Sequence, residues 1–183
     1  MKLLRSFPVA IISFFLAGIF INNSMQAQKS SKDKKIVSDA IEAKADFIKT
    51  DGQMKSLFDN AYGYVIFPNV GKGAVGIGGA AGNGAVFQNG KLIGMANMKQ
   101  VSIGFQWGGQ AYREVIFFES AADLDRFKHD KIEFAGQASA VAATAGAAAN
   151  VKYKEGVMIF SQIKGGLMYE ASVGGQKFKY RSL

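Results

Sequence analysis

Hydrophobic positions in this chain recur with two periods, and the change from one to the other divides it. From Ser30 to Thr50 the apolar residues Val37, Ile41, Ala45 and Ile48 return every three to four positions among lysines and acids, which predicts an amphipathic helix with those four residues on its packed face. Gly52 ends it, and a shorter helical piece, Gln53 to Asn60, carries Met54, Leu57 and Phe58. After Ala61 the period falls to 2 and stays there for most of the remainder, the pattern of strands.

Tyr62 to Phe67 reads as the first of them. Ala85 to Phe87 and Leu92 to Ala96 read as the arms of a hairpin, because Gln88-Asn89-Gly90-Lys91 places an Asn-Gly pair between them, suited to the left-handed backbone of a tight turn. Val101, Ile103, Phe105 and Trp107 alternate with Ser102, Gly104, Gln106 and Gly108, a half-buried strand. Glu114 to Glu119 is apolar on both faces between its terminal acids and reads as a central strand. Ser120 and Asp123 then form a capping box before a short helix, Ala121 to His129, whose buried side uses Leu124 and Phe127. Val157 to Phe160, Leu167 to Val173 and Lys177 to Tyr180 are separated by Gly165-Gly166 and Gly174-Gly175, turn signals of a meander. In Ala135 to Ala149, with nine alanines and two glycines, propensity favours helix and the neighbouring periodicity favours strand; extended structure is the reading taken.

Residues 63 to 87 hold eight glycines, and Gly71-Lys72-Gly73-Ala74-Val75-Gly76 formally matches GxGxxG. A dinucleotide fingerprint also needs a helix opening at the glycines and an acid about 20 residues on. Here the would-be helix contains Gly76, Gly78, Gly79, Gly82 and Gly84, and no Asp or Glu occurs from Asn60 to Arg113. No Gly-Lys pair is followed by Ser or Thr, which excludes a Walker loop as well. In Gly73 to Ala80 one face carries Val75 and Ile77 and the other Ala74, Gly76, Gly78 and Ala80, and a face that bare lets another backbone approach closely, so packing between layers is the reading that remains.

Composition adds a location. Lys2 and Arg5 precede an apolar run from Val9 to Ile21, too short to span a bilayer, and Asn22 to Ala27 follows it, which predicts a secretory signal peptide over residues 1–27 with an uncleaved anchor as the alternative. The protein is therefore expected to be exported, periplasmic or associated with the cell surface. The chain contains no cysteine, which excludes disulfides, thiolate metal sites and a lipidated N-terminal cysteine. Loss of the signal removes two of 22 basic residues and none of the 14 acids, leaving a formal charge of +6. Such a charge favours anionic partners, and outside the cytoplasm nucleic acid is not among those expected. Lys29, Lys32, Lys34 and Lys35 crowd the start of the helical pattern, where the helix dipole disfavours cations, so residues 28–35 are expected as a flexible basic arm ahead of a single domain, 36–183.

Catalytic constellations are missing. His129, the one histidine, sits at a helix end beside Asp130 and reads as a cap or surface residue. Ser139, Ser161 and Ser172 lack a GxSxG setting, and no carboxylate spacing matches a calcium loop. Glu114 and Glu119 form a formal carboxylate pair, yet a glycosidase pair needs a fixed separation across a cleft, and a solvated acidic surface is the reading kept. No cofactor, metal or catalytic residue is assigned, and the protein is read as non-enzymatic.

The order of these pieces resembles the SYLF family of lipid-binding domains. The resemblance is carried by Ala61-Tyr62-Gly63-Tyr64-Val65-Ile66-Phe67-Pro68, the run Gly71 to Gly84, Gly104-Phe105-Gln106-Trp107-Gly108-Gly109, Val115 to Phe118 with Leu124 and Phe127, and Gly165 to Tyr180. It covers roughly Lys35 to Tyr180. It implies an α+β fold: a mainly antiparallel, barrel-like glycine-rich sheet, an N-terminal amphipathic helix and a short helix after the central strand. It also implies affinity for membrane phospholipids, which for this chain means anionic head groups met by Lys29, Lys32, Lys34 and Lys35 of the arm and Lys44 and Lys49 of the helix. Trp107, at a strand end before Gly108-Gly109, is the candidate interfacial aromatic. Eukaryotic members tend to carry a Gly-Pro-x-Gly-Arg turn; Ala142 to Asn150 has neither Pro nor Arg, and actin binding is not implied. The alternative function is a structural or protein-interaction domain of the envelope that forms a homo-oligomer or docks a protein partner.

Overall fold

The computed structural model describes residues 10–72, 79–101, 111–130, 139–164, 170–172 and 175–183. The chain falls into two units, 1–35 and 36–183. The first is helical from Ala10 as the opening part of helix α1 (Ala10–Thr50). Residues 28–35, expected as a flexible arm, are therefore helix. The dipole argument behind that expectation acts only within the first turn, and Lys29 lies nineteen residues beyond Ala10, about 28 Å along the axis. Among the described residues no helix is long and apolar enough to cross a membrane.

The second unit contains the end of α1, then α2 (Met54–Asn60), β1 (Gly63–Lys72), β2 (Gly79–Gln88), β3 (Lys91–Val101), β4 (Tyr112–Phe118), α3 (Ala121–Lys128), β5 (Ser139–Ala142), a 3-10 turn (Ala147–Asn150), β6 (Val157–Ile163), β7 (Glu170–Ser172) and β8 (Gln176–Ser182). The strands form one sheet in the order β7-β5-β6-β4-β1-β2-β3-β8, antiparallel except for the β5–β6 pair. This is the α+β fold read from the sequence. Among the described residues nothing pairs β7 with β8, so the sheet stays open. The C-terminal strands are not a meander: β6 joins β4, β7 joins β5, and β8 crosses to β3. The alanine-rich stretch is extended at β5 and then turns at Gly146, with φ 77°, into the 3-10 turn.

Alternation along the central strands supplies two apolar faces, each with its own cover. Val65, Phe67, Ile116 and Phe118 face Leu124 and Phe127 of α3 together with Phe178 of β8. Tyr64, Ile66, Val115, Phe117 and Phe160 face Phe47 of α1 and Met54 and Phe58 of α2. The Ser120–Asp123 capping box that starts α3 is present in both directions. The Asn89-Gly90 turn joins β2 to β3 with φ 48° and 74°.

The helix face is rotated from the sequence expectation. Ala40, Ala43 and Phe47 are buried, Val37 and Ile48 are half-buried, Ala45 is exposed and Ile41 is 59% exposed. Two alanines bring the helix axis close to the sheet and let Phe47 fill the gap, so small side chains that contribute little to a hydrophobic pattern define the contact. Three polar contacts fix the crossing. Asn69 Nδ2 on β1 donates to Asp39 at 3.3 Å, Arg113 on β4 pairs with Asp46, and Gln162 Nε2 on β6 donates to Thr50 Oγ1 at 2.6 Å. Asp51, at the end of α1, accepts from the Gln53 and Ala148 amides at 3.1 and 2.8 Å and ties the helix junction to the 3-10 turn.

Pro68 sits inside β1, where a missing N–H would break a ladder. The register shifts there against both neighbours, between Ile66 and Asn69 toward β2 and between Phe67 and Val70 toward β4, so the proline lies in a bulge. Opposite stands Gly84, where an added Cβ would come within 2.7 Å of the Ile66 carbonyl and of the Phe67 ring. At this position the glycine serves packing, as read from the sequence. Residues 73–78, which include the last four of the GxGxxG match, lie outside the described residues.

Candidate functional site

The seven residues singled out from the sequence separate into distinct settings. Lys29, Lys32, Lys34 and Lys35 are exposed on the first unit's part of α1, and the spacing of three lines Lys29, Lys32 and Lys35 along one side. In the second unit Lys49 is exposed in the last turn of α1, where a cation complements the C-terminal dipole. Lys44 is turned inward. Its amine lies 4.8 Å from the Phe58 ring centre and 5.2 Å from that of Tyr64, and it donates to the Tyr64 hydroxyl at 3.3 Å. The helix does not bring Lys44 and Lys49 together, since five residues put them about 140° apart. Trp107 lies outside the described residues.

The two acid candidates differ in setting. Glu119 is exposed while Glu114 is fully buried, and five extended residues set them about 17 Å apart, beyond glycosidase separations. His129 Nδ1 lies 2.9 Å from the Asp125 carbonyl at the end of α3, the capping position. Among the described residues no three His, Cys, Asp or Glu side chains are grouped to hold a metal.

Glu114 belongs to a polar cluster inside the core on the α3 side of the sheet. Gln176 Nε2 of β8 donates to its Oε2 at 3.1 Å, and the Tyr112 hydroxyl donates to Gln100 Oε1 at 3.2 Å. Glu114 Oε1 and Gln176 Oε1 are buried with no hydrogen-bond partner among the described residues. Burial pushes the Glu114 carboxyl up to about 7, opposed by the Gln176 bond. Burial, aided by the Glu114 charge, pushes the Tyr112 phenol well above its ordinary value. In the register of β4 with β6, Glu114 stands opposite Ser161, which is also fully buried.

On the other face α1 crosses β1, β4 and β6, which it meets through Asp39, Asp46 and Thr50. Beyond that crossing, Lys99 of β3 and Lys177 and Lys179 of β8 are exposed, Arg181 is half-buried, and the registers set Lys99 opposite Lys177, Asn97 opposite Lys179 and Met95 opposite Arg181. Asn83 of β2 bonds to Asn97 and continues the row. The signal for this cluster was in the sequence as the alternation Lys177-Phe178-Lys179-Tyr180-Arg181, although only the pairing of β8 with β3 brings Lys99 to it.

Residues 99–182 match the family described as "Las17-binding protein actin regulator", Ysc84. Over 163 residues the chain is 31% identical to Beta cell expansion factor A of Aeromonas veronii, covering 85% of this chain and 60% of that protein.

Proposed function

We propose, from the premise that this chain belongs to the SYLF family, that it is a non-enzymatic protein of the cell envelope that binds anionic phospholipid head groups through lysines of α1. The family is generally non-enzymatic, which agrees with the absence of a catalytic motif in the sequence. The observation that carries the reading is the density of exposed lysine on the helix: Lys29, Lys32, Lys34 and Lys35 within seven residues, with Lys49 further along. Each Lys near an anionic surface contributes about 1 kcal/mol, an effect that salt screens over about 10 Å. The charged amino-terminal start and the Val9 to Ile21 run support export to the periplasm or cell surface.

The test is co-sedimentation with phosphatidylcholine vesicles with and without phosphatidylglycerol, across a salt series. Binding confined to anionic vesicles, weakening steeply with salt and lost when Lys29, Lys32, Lys34 and Lys35 are replaced by Gln, is expected. Equal binding to both vesicles at low salt would sink the mechanism. The amino-terminal residue of protein recovered from the envelope tests the predicted signal.

A second reading rests on the description of the matching family as Las17-binding, which names a protein partner for that family. For this chain it becomes a domain that self-associates or docks an envelope protein, with β7 and β8 as the sheet edges among the described residues. Crosslinking of the purified protein without lipid discriminates: a stable oligomer indifferent to vesicles favours it.

A further inference from the structure

We propose that Glu114 and Gln176 form a proton-dependent clasp that holds β8 against β4 across the inside of the curled sheet, so that ionisation of the carboxyl frees β8 while the central strands stay paired.

Topology and burial carry the argument. Strands β1, β2 and β3 lie between β4 and β8, which in a flat sheet would set the two about 19 Å apart. Instead Gln176 Nε2 reaches Glu114 Oε2 at 3.1 Å, and the Tyr112 hydroxyl of β4 reaches Gln100 Oε1 of β3 at 3.2 Å. The open sheet therefore curls on its α3 side until β8 touches β4, and side chains make that contact. Glu114 is 0% and Gln176 1% exposed, and one oxygen of each, Glu114 Oε1 and Gln176 Oε1, is buried without a partner. Both oxygens are acceptors when the carboxyl is charged, and enclosed acceptors left unpaired are costly. A proton on Glu114 Oε1 turns one of them into a donor to the other. Acid and amide then hold each other by two bonds, amide N–H to carboxyl oxygen and carboxyl O–H to amide oxygen.

The surrounding elements are apolar or carry their charges elsewhere. On β8, Lys177, Lys179 and Arg181 alternate with the buried Gln176 and Phe178 and so occupy the opposite face, as Lys99 does beside Gln100 and Met98 on β3. Arg113 of β4 likewise turns to Asp46 of α1. Toward the cluster β1 presents Val65, Phe67 and Val70, β2 presents Ala80 and Val86, and β6 presents Ile159 and Ser161. Helix α3 packs here through Leu124 and Phe127; Asp123 pairs with Arg126, Asp125 with His129 on the exposed side, and Lys128 is half-buried. Tyr112 and Tyr180 are the phenols on this side, both raised by burial, and the Tyr180 hydroxyl donates to the Ile93 carbonyl at 2.9 Å.

Pairing decides which strand yields. β4 is hydrogen-bonded on both sides, to β1 and β6, whereas β8 pairs with β3 alone among the described residues. Gln176 is the first residue of β8, directly after Gly175 with φ 74°. Water reaches a charged Glu114 at least cost when β8 parts from that end, an opening smaller than global unfolding.

The test is amide hydrogen exchange of the purified protein from acid to mildly alkaline pH, corrected for the intrinsic effect of pH on exchange. Amides of Lys177 to Tyr180 are expected to exchange ahead of those in β1 and β4, and to lose protection about tenfold per unit of pH between 4.5 and about 7 before levelling. Infrared spectra of the parent should show a neutral, hydrogen-bonded carboxyl in the upper part of that window, where the ordinary carboxylates are ionised. Glu114→Gln, which keeps both bonds to Gln176, should remove that band and make β8 protection independent of pH. Gln176→Ala should lower β8 protection about tenfold at acid pH, where the clasp is closed. A β8 whose protection in the parent ignores pH, or exchanges only together with β1 and β4, overturns the proposal, as does a Gln176→Ala variant protected like the parent. The first two readings need the parent alone and stand whether or not a variant folds.

Discussion

Glu114→Gln is expected to abolish a pH dependence of stability that the buried carboxyl imposes on the fold. The carboxyl is pushed up to about 7 from an ordinary 4.5 by burial, with one oxygen held by Gln176 and the other unpartnered among the described residues. Below 4.5 both folded and unfolded chains carry the proton. Between 4.5 and about 7 the unfolded chain releases it and the folded chain keeps it, so stability falls as pH rises; above that both are ionised and the loss levels off. A window of about 2.5 in pH at ~1.36 kcal/mol each gives a loss of about 3 kcal/mol, roughly 6 to 12 °C in Tm for a unit of this size. Gln keeps an oxygen for the Gln176 donor and offers an amide to Gln176 Oε1, which lacks one. Tyr112, held neutral by its raised phenol, does not titrate in this window. Circular dichroism melts of parent and variant from acid to mildly alkaline pH measure the difference, which cancels surface groups common to both. The curves should meet below about pH 4.5 and separate to about 3 kcal/mol above neutrality, with the variant more stable. Parallel curves at all pH values would refute the reasoning.

Phe47→Ala should cost about 3–5 kcal/mol in denaturant unfolding, whereas Ile41→Ala, at a 59% exposed position, should stay within about 0.5 kcal/mol; equal costs would mean the helix presents another face. Gly84→Ala should destabilise by about 1–3 kcal/mol, because the new methyl meets the Ile66 carbonyl and the Phe67 ring at 2.7 Å, and an unchanged melting temperature would show that the bulge yields freely. Ser120→Ala should cost about 1 kcal/mol through loss of the reciprocal cap on α3, read by thermal melting against an Asp123→Ala variant.

Local signals in the sequence survived into the structure where they rest on backbone chemistry. The Asn89-Gly90 turn, the Ser120–Asp123 cap and the doubly apolar β4 each depend on neighbours within a few residues, and each is where the pattern put it. The packed face of α1 was misread for a physical reason. Hydrophobic patterning weighs Ile41 above Ala40 and Ala43, but close approach to a sheet selects small residues, and Phe47 does the filling. Sheet order was not legible, since β8 joins β3 and β5 runs parallel to β6 across long stretches of chain. The same limit hid the basic face, which has one row on β8 and one member on β3. Lys44 looked like its neighbours on the helix; only the rings of Phe58 and Tyr64, brought from α2 and β1, set it apart.

The pairing of β8 with β3 also governs when the molecule becomes a folded one. Phe178 of β8 packs against Phe67 and Phe127, so the core beneath α3 lacks a wall until β8 has been made. On the opposite face Asp51 waits for the Ala148 amide and Thr50 for Gln162, partners 97 and 112 residues further along. Closing loops of that length comes before any reward from the contacts, which makes assembly slow and leaves little that a growing amino-terminal portion can complete alone. Synthesis and folding are thereby separated in time: the chain passes through its length as an unfinished polymer, open to proteases, and gains resistance to them late, once β8 has paired with β3.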